Sequence, residues 1–433
     1  MKEKKKETMM KHFFDYMKEA TVAVCTVEAT KKRLREASFE ELNFNGNWQI
    51  EAGKGYFVQS SPSMLMAFKT AKEGKTDKLK MIGAHTDNPA LKIKPMPEIN
   101  SDGYRRLNIE IYGGPIFNTW FDRPLSIAGS VALRSENVLK PEIRILDFKK
   151  PVLTLPNLAI HMNREVNKGV EIKAQKEMLP FIATFREEME KENYLLGLLA
   201  KELSVHPEDI LDYDLFVYCF EEGQLVGVEE EFISCPRIDD TAMVYTAMQA
   251  MIAAEPKSGV NVALFVDHEE IGSLSRQGAN SMILNLCMEK LRVALNMESM
   301  EWNDCLQDSF FISADGAHAV HPAYPEKCDP TNRPKVNEGI VIKISGNKAY
   351  ATESFSAGVL QQICDKAGVK YQKFVNHADI RGGTTIGSIV SSYLPIPIVD
   401  MGLAMLAMHS AREFAGKQDM EDMIKVMTTF YQL

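Results

Sequence analysis

Val262-Ala263-Leu264-Phe265-Val266 is an unbroken apolar run that stops at Asp267-His268-Glu269-Glu270 and turns at Gly272. An apolar run this short, bounded by turn residues, reads as a buried strand. Two adjoining carboxylates repel unless a cation lies between them or one keeps its proton. A metal ligand next to a general base answers that demand. The pattern recurs. Leu79-Lys80-Met81-Ile82-Gly83-Ala84 leads into His85-Thr86-Asp87, and Phe310-Phe311-Ile312-Ser313-Ala314 leads into Asp315. Ile396-Pro397-Ile398-Val399-Asp400-Met401 is followed, after a loop, by His409. Strands that end in ligand-type side chains constrain the chain towards an open α/β sheet, where sites form outside the carboxyl ends of the strands.

The surrounding sequence supports that class. From 233 onwards strand-like and helix-like segments alternate: helix at 240–254, strand at 260–268, helix at 280–296, strand at 310–314, strand at 339–344, helix at 354–367. Such alternation argues for a layered domain with a mainly parallel sheet. The segment 410–416 reads as the opening of a last helix. Before this region, Met9, Met10, Phe13, Phe14, Met17 and Ala20 recur at helical spacing, so 8–38 reads as one helix. Between about 95 and 232 the texture changes to short β-like pieces such as Leu107-Asn108-Ile109-Glu110-Ile111-Tyr112, with turns at Gly113-Gly114-Pro115 and Asp122-Arg123-Pro124. The expected organisation is one layered domain in two parts, 1–94 and 233–433, with a β-rich domain inserted at 95–232.

Charge and cysteine usage narrow the function. A net charge of −9 gives no electrostatic support to nucleic-acid binding. No run of about 18 apolar residues offers a membrane span. The N-terminal Met1-Lys2-Glu3-Lys4-Lys5-Lys6-Glu7 has no apolar signal core behind it. Seven scattered cysteines without a CxxC pair argue against a disulfide framework and fit a reducing, cytoplasmic setting.

Two histidines with three or four carboxylates suit zinc or a similar divalent ion, and cobalt or manganese would fit the same donors. That set is enough for two ions about 3.5–4 Å apart, bridged by one carboxylate. Each residue also has a plainer reading. His409 alone is more often a hydrogen-bonded structural histidine. His85 is the stronger case, because Asp87 two residues on can orient a ligating ring. Asp239-Asp240 could be a helix cap. His318 and His321 are weaker ligand candidates than Asp315, which sits at a strand end. Gly382-Gly383-Thr384-Thr385-Ile386-Gly387 lacks the lysine of a phosphate loop and reads as a substrate-facing or packing turn.

Seven stretches, in order, resemble the aspartyl aminopeptidase family of dinuclear zinc exopeptidases. They are Gly83-Ala84-His85-Thr86-Asp87, Asn157-Leu158-Ala159-Ile160-His161-Met162, Pro236-Arg237-Ile238-Asp239-Asp240, Asp267-His268-Glu269-Glu270-Ile271-Gly272-Ser273, Ser313-Ala314-Asp315-Gly316-Ala317-His318, Gly383-Thr384-Thr385-Ile386-Gly387 and Leu406-Ala407-Met408-His409-Ser410. The resemblance implies a zinc-exopeptidase-like α/β sheet flanked by helices, with an inserted, mostly β domain. It implies that His85 and Asp315 hold one zinc ion and Glu270 and His409 the other. Asp239 would bridge the two, Glu269 would be the general base, and Asp87 would orient His85. It places His161 close to metal or substrate, across a subunit boundary. It further implies a homo-oligomer, a tetrahedral dodecamer built from dimers, acting on peptide N-termini with acidic residues as one candidate class. Acidic-substrate members carry a lysine where Asn347 stands here; Lys348 follows it, and Arg381, just before the glycine turn, is a substitute cation. Two alternatives remain at this point: a carboxypeptidase or deacylase of the same architecture, and a catalytically silent peptide-binding scaffold.

Overall fold

The computed structural model describes residues 2–73, 76–185 and 193–433. Its contacts divide the chain into two compact units. The first comprises Met1–Asp87, Gly223–Met408 and Glu413–Leu433; the second comprises Asn88–Glu222 and His409–Arg412. The sequence-based edges of the insert, at 95 and 232, thus differ from the contact boundaries by several residues at each end.

A nine-stranded sheet organises the first unit. Its strands are β1 (Glu40–Leu42), β2 (Gly55–Ser61), β3 (Met64–Thr70), β4 (Leu79–His85), β5 (Val260–Val266), β6 (Phe310–Ala314), β7 (Ile340–Lys343), β8 (Tyr371–Phe374) and β9 (Ile398–Gly402), in the spatial order β1-β2-β3-β5-β4-β6-β9-β7-β8. The central four, β5, β4, β6 and β9, run parallel, whereas β3 and β7 meet that core antiparallel. Every residue of β4, β5 and β6 is buried. A sheet covered on both faces explains why these strands read as continuous apolar runs rather than alternating ones.

Two helical layers supply the cover. On one face, α1 (Lys2–Glu19), α2 (Ala23–Glu36), α3 (Ile238–Ala253), α6 (Ser354–Ala367) and α7 (Lys417–Tyr431) share a core with Phe57, Ile82, Ala84, Phe265 and Ile312. On the other, α4 (Ile283–Ala294) and α5 (Ser299–Gln307) share a core with Met81, Val262, Leu264, Val266 and Phe311. Alternate residues of one strand feed opposite cores, as the period of two requires. Fully burying a side chain such as Phe265 or Leu264 contributes about 1.5–3 kcal/mol. Packing is tight where the site strands touch: a Cβ on Gly83 would lie 2.4 Å from Cζ of Phe311.

Several sequence-based elements are corrected. The single helix expected over 8–38 is two, α1 and α2, because Arg237 takes the main-chain oxygens of Ala20 and Met17 with its guanidinium (3.2 and 3.0 Å) and ends α1 there. The segment 410–416 does not open a helix. Glu413–Gly416 is a strand paired with Phe232–Cys235, and α7 begins only at Lys417. Asp239 lies within α3 but has non-helical φ and ψ of −81° and 112°.

The second unit is built on a six-stranded antiparallel sheet in the order Glu142–Asp147, Leu125–Leu133, Ile210–Cys219, Ala90–Ser101, Tyr104–Tyr112, Phe181–Thr184. Its own core includes Leu107, Ile109, Trp120, Leu125, Ile127, Leu215 and Val217. Leu153 and Thr154 join the sheet only through isolated bridges to Leu125 and Phe181. Among the described residues, no helix is long and apolar enough to cross a membrane.

Candidate metal centre

The register of the parallel strands brings the site together. Val266 pairs with His85 across β5 and β4, and Ser313 pairs with Gly83 across β6 and β4. The residues that follow each strand therefore leave the sheet at the same edge. His85 closes β4, Asp267 to Glu270 follow β5, and Asp315 follows β6. Asp239 and Asp240 reach them from the start of α3.

His85 is at the centre and is 2% exposed. Its Nε2 faces Asp239 Oδ1 at 3.7 Å, and Asp240 Oδ2, Glu269 Oε2 and Asp315 Oδ1 each at 3.9 Å. These separations exceed hydrogen-bond length. His85 Nδ1 lies 3.1 Å from the main-chain oxygen of Asp87 and 3.2 Å from its Oδ1. The carboxylate of Asp87 also accepts the backbone N–H groups of Glu269 and Glu270, each at 3.2 Å. One side chain thereby fixes the ring and both glutamates. The backbone N–H of His85 donates to Asp240 Oδ2 (3.0 Å), and that of Asp239 donates to Glu413 Oε2 (2.9 Å).

The glutamates stand on a short turn, Glu269–Ile271, entered through His268 in the left-handed region (φ 61°). The His268 ring is hydrogen-bonded to Ser275 Oγ (2.6 Å), closing the turn. A carboxylate oxygen of Glu270 lies within 4.8 Å of one of Asp239.

Electrostatics follow from burial and crowding. Burial, then Asp315, Asp87 and Asp239, push Glu269 up to about 8 despite His85. Burial, then Asp239, Asp87 and Glu269, hold Glu270 well above the usual carboxylate range. Burial raises Asp240 strongly, with Asp315 and Asp239 adding to it. Burial and Asp87 raise Asp267 to about 8. Burial works against the His85 imidazolium, but Asp240, Asp87 and Glu269 outweigh it and hold its pKa well above the ordinary value. The metal-free cluster thus holds more negative groups than it can keep ionised, the condition a divalent cation relieves.

The donor set fits such an ion. One donor atom from each of His85, Asp239, Asp240 and Asp315 lies within 4.8 Å of the others, and all four residues are buried. Oδ1 of Asp240 is buried without a hydrogen-bond partner among the described residues, an orphaned acceptor on a side chain of this cluster. Imidazole and carboxylate oxygens together suit zinc.

His85, Asp87, Asp239, Glu269, Glu270 and Asp315 all lie in the first unit and share this one neighbourhood. His409 and His161 belong to the second unit. His409, one residue past Met408, has Nδ1 3.2 Å from the main-chain oxygen of Gly114. His161 is exposed. His318 stacks edge-on to Phe374, and His321 packs against Tyr324. Sequence reasoning gave no site role to Asp240, beyond the possible cap it shares with Asp239, or to Lys343, whose Nζ lies 3.1 Å from Asp315 Oδ2. Asp240 carried a signal in its adjacency to Asp239; Lys343 carried none.

The model of the aminopeptidase I zinc metalloprotease (M18) family matches residues 16–431. A probable M18 family aminopeptidase 2 of Clostridium novyi is 44% identical over 432 residues, covering 99% of this chain and 100% of that protein. The chain is also similar to Ape4 in its cryo-EM complex with Nbr1, with TM-score 0.93 and 32% identity over 99% of this chain and 86% of that one. The S. cerevisiae mApe1 dodecamer shares the fold at TM-score 0.83 and 24% identity, over 98% of this chain and 96% of that one. A metal-ligand cluster at the carboxyl edge of a parallel sheet, matched over nearly its whole length in this way, places the chain in the aminopeptidase I zinc metalloprotease (M18) family, and it is a metal-dependent aminopeptidase.

Proposed function

We propose that this aminopeptidase releases unblocked N-terminal residues from peptides at a two-ion site. His85 and Asp315 would hold one ion and Glu270 and His409 the other, with Asp239 serving both. Bound there, zinc would supply Lewis acidity towards water and positive charge for the oxyanion. Glu269 takes the proton of the attacking water and delivers it to the leaving amine. Asp87 keeps the His85 ring and the Glu269-Glu270 backbone in register.

The observation that carries this reading is the position of His85 Nε2 opposite four carboxylates at 3.7–3.9 Å. Glu269 reaches the cluster through Oε2, 3.9 Å from His85 Nε2, the place a general base beside the ions needs. His409 follows directly on the first unit's Met408, so a ligand role is open to it by chain connection.

The test is Glu269→Gln. It is expected to keep two ions per chain and to lose about 10²–10⁴-fold in kcat. A wild-type rate in that variant would remove Glu269 from the mechanism. The same peptide with an acetylated N-terminus should not be cleaved by the wild-type enzyme.

The side chain preferred at the N-terminus is a separate matter. Asn347 uses its Oδ1 within its own turn, next to the Ser345 hydroxyl (2.6 Å) and accepting from the Ala349 N–H (3.2 Å). Lys348 is paired with Glu353 at 2.9 Å. Arg381 is exposed and is a further candidate cation for an acidic side chain.

A tetrahedral dodecamer built from dimers is the proposed assembly, in keeping with the dodecamer of mApe1. Leu158, Ile160 and Met162, at 55%, 49% and 70% exposure, surround His161 with apolar surface suited to a neighbouring copy. In such an assembly His161 acts at a subunit boundary, on metal or substrate. Solution mass and its dependence on protein concentration test this. A cytoplasmic location is supported by seven cysteines that form no disulfide among the described residues, six of them buried.

A further inference from the structure

Lys343 is the last residue of β7, and it pairs with Asp400 of the antiparallel β9. Its side chain is 4% exposed. The ammonium lies 3.1 Å from Asp315 Oδ2 and donates to the main-chain oxygen of Gly316 at 2.7 Å. The Tyr350 ring covers it, with the centroid 5.2 Å away. A buried ammonium is costly unless it is paired and hydrogen-bonded. Here both conditions are met, and both partners belong to the segment that leaves β6 for the metal centre. Asp400 does not compete for it as a free carboxylate: its Oδ1 accepts the Thr385 hydroxyl (2.6 Å) and its Oδ2 the N–H of Ala351 (2.6 Å).

The two oxygens of Asp315 are therefore unequal. Oδ2 is engaged by Lys343, while Oδ1 faces His85 Nε2 at 3.9 Å. Around that ring stand Asp239, Asp240 and Glu269 as well, with Glu270 within 4.8 Å of Asp239 and Asp87 on the other ring nitrogen. Two divalent ions bring four positive charges to six carboxylates, and the Lys343 ammonium adds a fifth.

We infer that Lys343 is a positioning residue for the metal held by His85 and Asp315. By occupying Oδ2 it leaves Asp315 a single oxygen for the ion, and its charge offsets part of the surplus on the carboxylate cluster. The inference rests on the two-ion reading above, and it distinguishes the ions: Lys343 acts on the His85–Asp315 ion and leaves the Glu270 ion alone. Partners that orient a ligand in this way are typically worth about 10–100-fold in metal affinity.

The test uses the full chain, stripped of metal and titrated with cobalt(II) and zinc against a competing chelator. Lys343→Met retains the length and apolar stem but removes the charge and the donor. It is expected to bind one of the two ions about 10–100-fold more weakly and the other as in the wild type. Its cobalt(II) visible absorption is expected to weaken as Asp315 gains a second oxygen on the ion. Lys343→Arg, which restores charge and donors, is expected to recover most of the affinity. Wild-type affinity for both ions together with an unchanged cobalt spectrum in Lys343→Met would overturn the inference. Should the variants not fold, the metal-loaded wild-type crystal structure decides: coordination through Oδ1 alone, with Oδ2 on Lys343, supports it, and a bidentate Asp315 overturns it. Asp315→Asn separates the two levels. Loss of one ion there, with Lys343→Met unaffected, rejects the role of Lys343 only, whereas retention of both ions in Asp315→Asn rejects the site assignment itself.

Discussion

Asp87 touches three parts of the cluster with one carboxylate: the His85 ring and the backbone N–H groups of Glu269 and Glu270. An asparagine in its place has one acceptor oxygen and one NH2 group, so at least one of those donors would face another donor. Asp87→Asn is expected to lower metal affinity by about 10–100-fold and kcat with it, because both the ring and the glutamate turn lose register. A chelator-competition titration beside steady-state rates checks this; wild-type values for both would show that Asp87 orients nothing. The legibility of the site follows the same logic. His85, Glu269, Glu270 and Asp315 were readable because each ends an apolar run, where a charged side chain is anomalous without a cation. For Asp240 the sequence offered only the possible cap it shares with Asp239, because two aspartates before a helix satisfy that pattern locally; its carboxylate instead accepts the backbone N–H of His85, 155 residues away. Lys343 was invisible. A lysine closing a four-residue strand normally reaches solvent, and its pairing with Asp315 exists only through the sheet order.

At the level of elements, the parallel centre of the sheet sets the site more than any single side chain does. β4, β5 and β6 were readable as strands because burial on both faces makes them uniformly apolar. The break between α1 and α2 was not, since the partner that ends α1 is Arg237, 217 and 220 residues away from the two carbonyls it takes. Nor was the strand Glu413–Gly416, whose pairing with Phe232–Cys235 overrides a helix-like local pattern. Close approach between elements gives a direct test. A Cβ on Gly402, at the end of β9, would lie 2.2 Å from the main-chain oxygen of Asp315 and 2.9 Å from Cβ of Ala317. Gly402→Ala is therefore expected to cost about 1–3 kcal/mol through overpacking. It should also shift Asp315 enough to weaken metal binding. Urea unfolding of the metal-free variant reports the first effect and a zinc titration the second. If neither changes, β9 does not hold Asp315 as tightly as the contact implies.

For the whole molecule, the raised carboxylates make the stability of the metal-free protein depend on pH in a definite direction. Glu269 rises from 4.5, and Asp267 from 3.8, each to about 8; Glu270 and Asp240 also stand well above their ordinary range. Across this window the folded protein binds more protons than the unfolded chain, so stability falls as pH rises. The contribution of Glu269 is complete below about 4.5 and is lost as pH climbs through about 8. His85, held above 6.5 by Asp240, Asp87 and Glu269, acts in the same sense: its contribution is present below 6.5 and is lost as pH passes its folded value. All these groups lie in the first unit, so their effects accumulate in one folding unit. Melting of the chelator-treated protein should therefore show a lower Tm at pH 8 than at pH 5.5. Zinc should reverse the trend, because a cation that binds only the folded, deprotonated cluster stabilises it more as pH rises. The difference between zinc-loaded and metal-free Tm is thus expected to widen from pH 5.5 to pH 8. A metal-free Tm that climbs across that range would mean that the carboxylates around His85 are ionised without a metal and that another cation balances them.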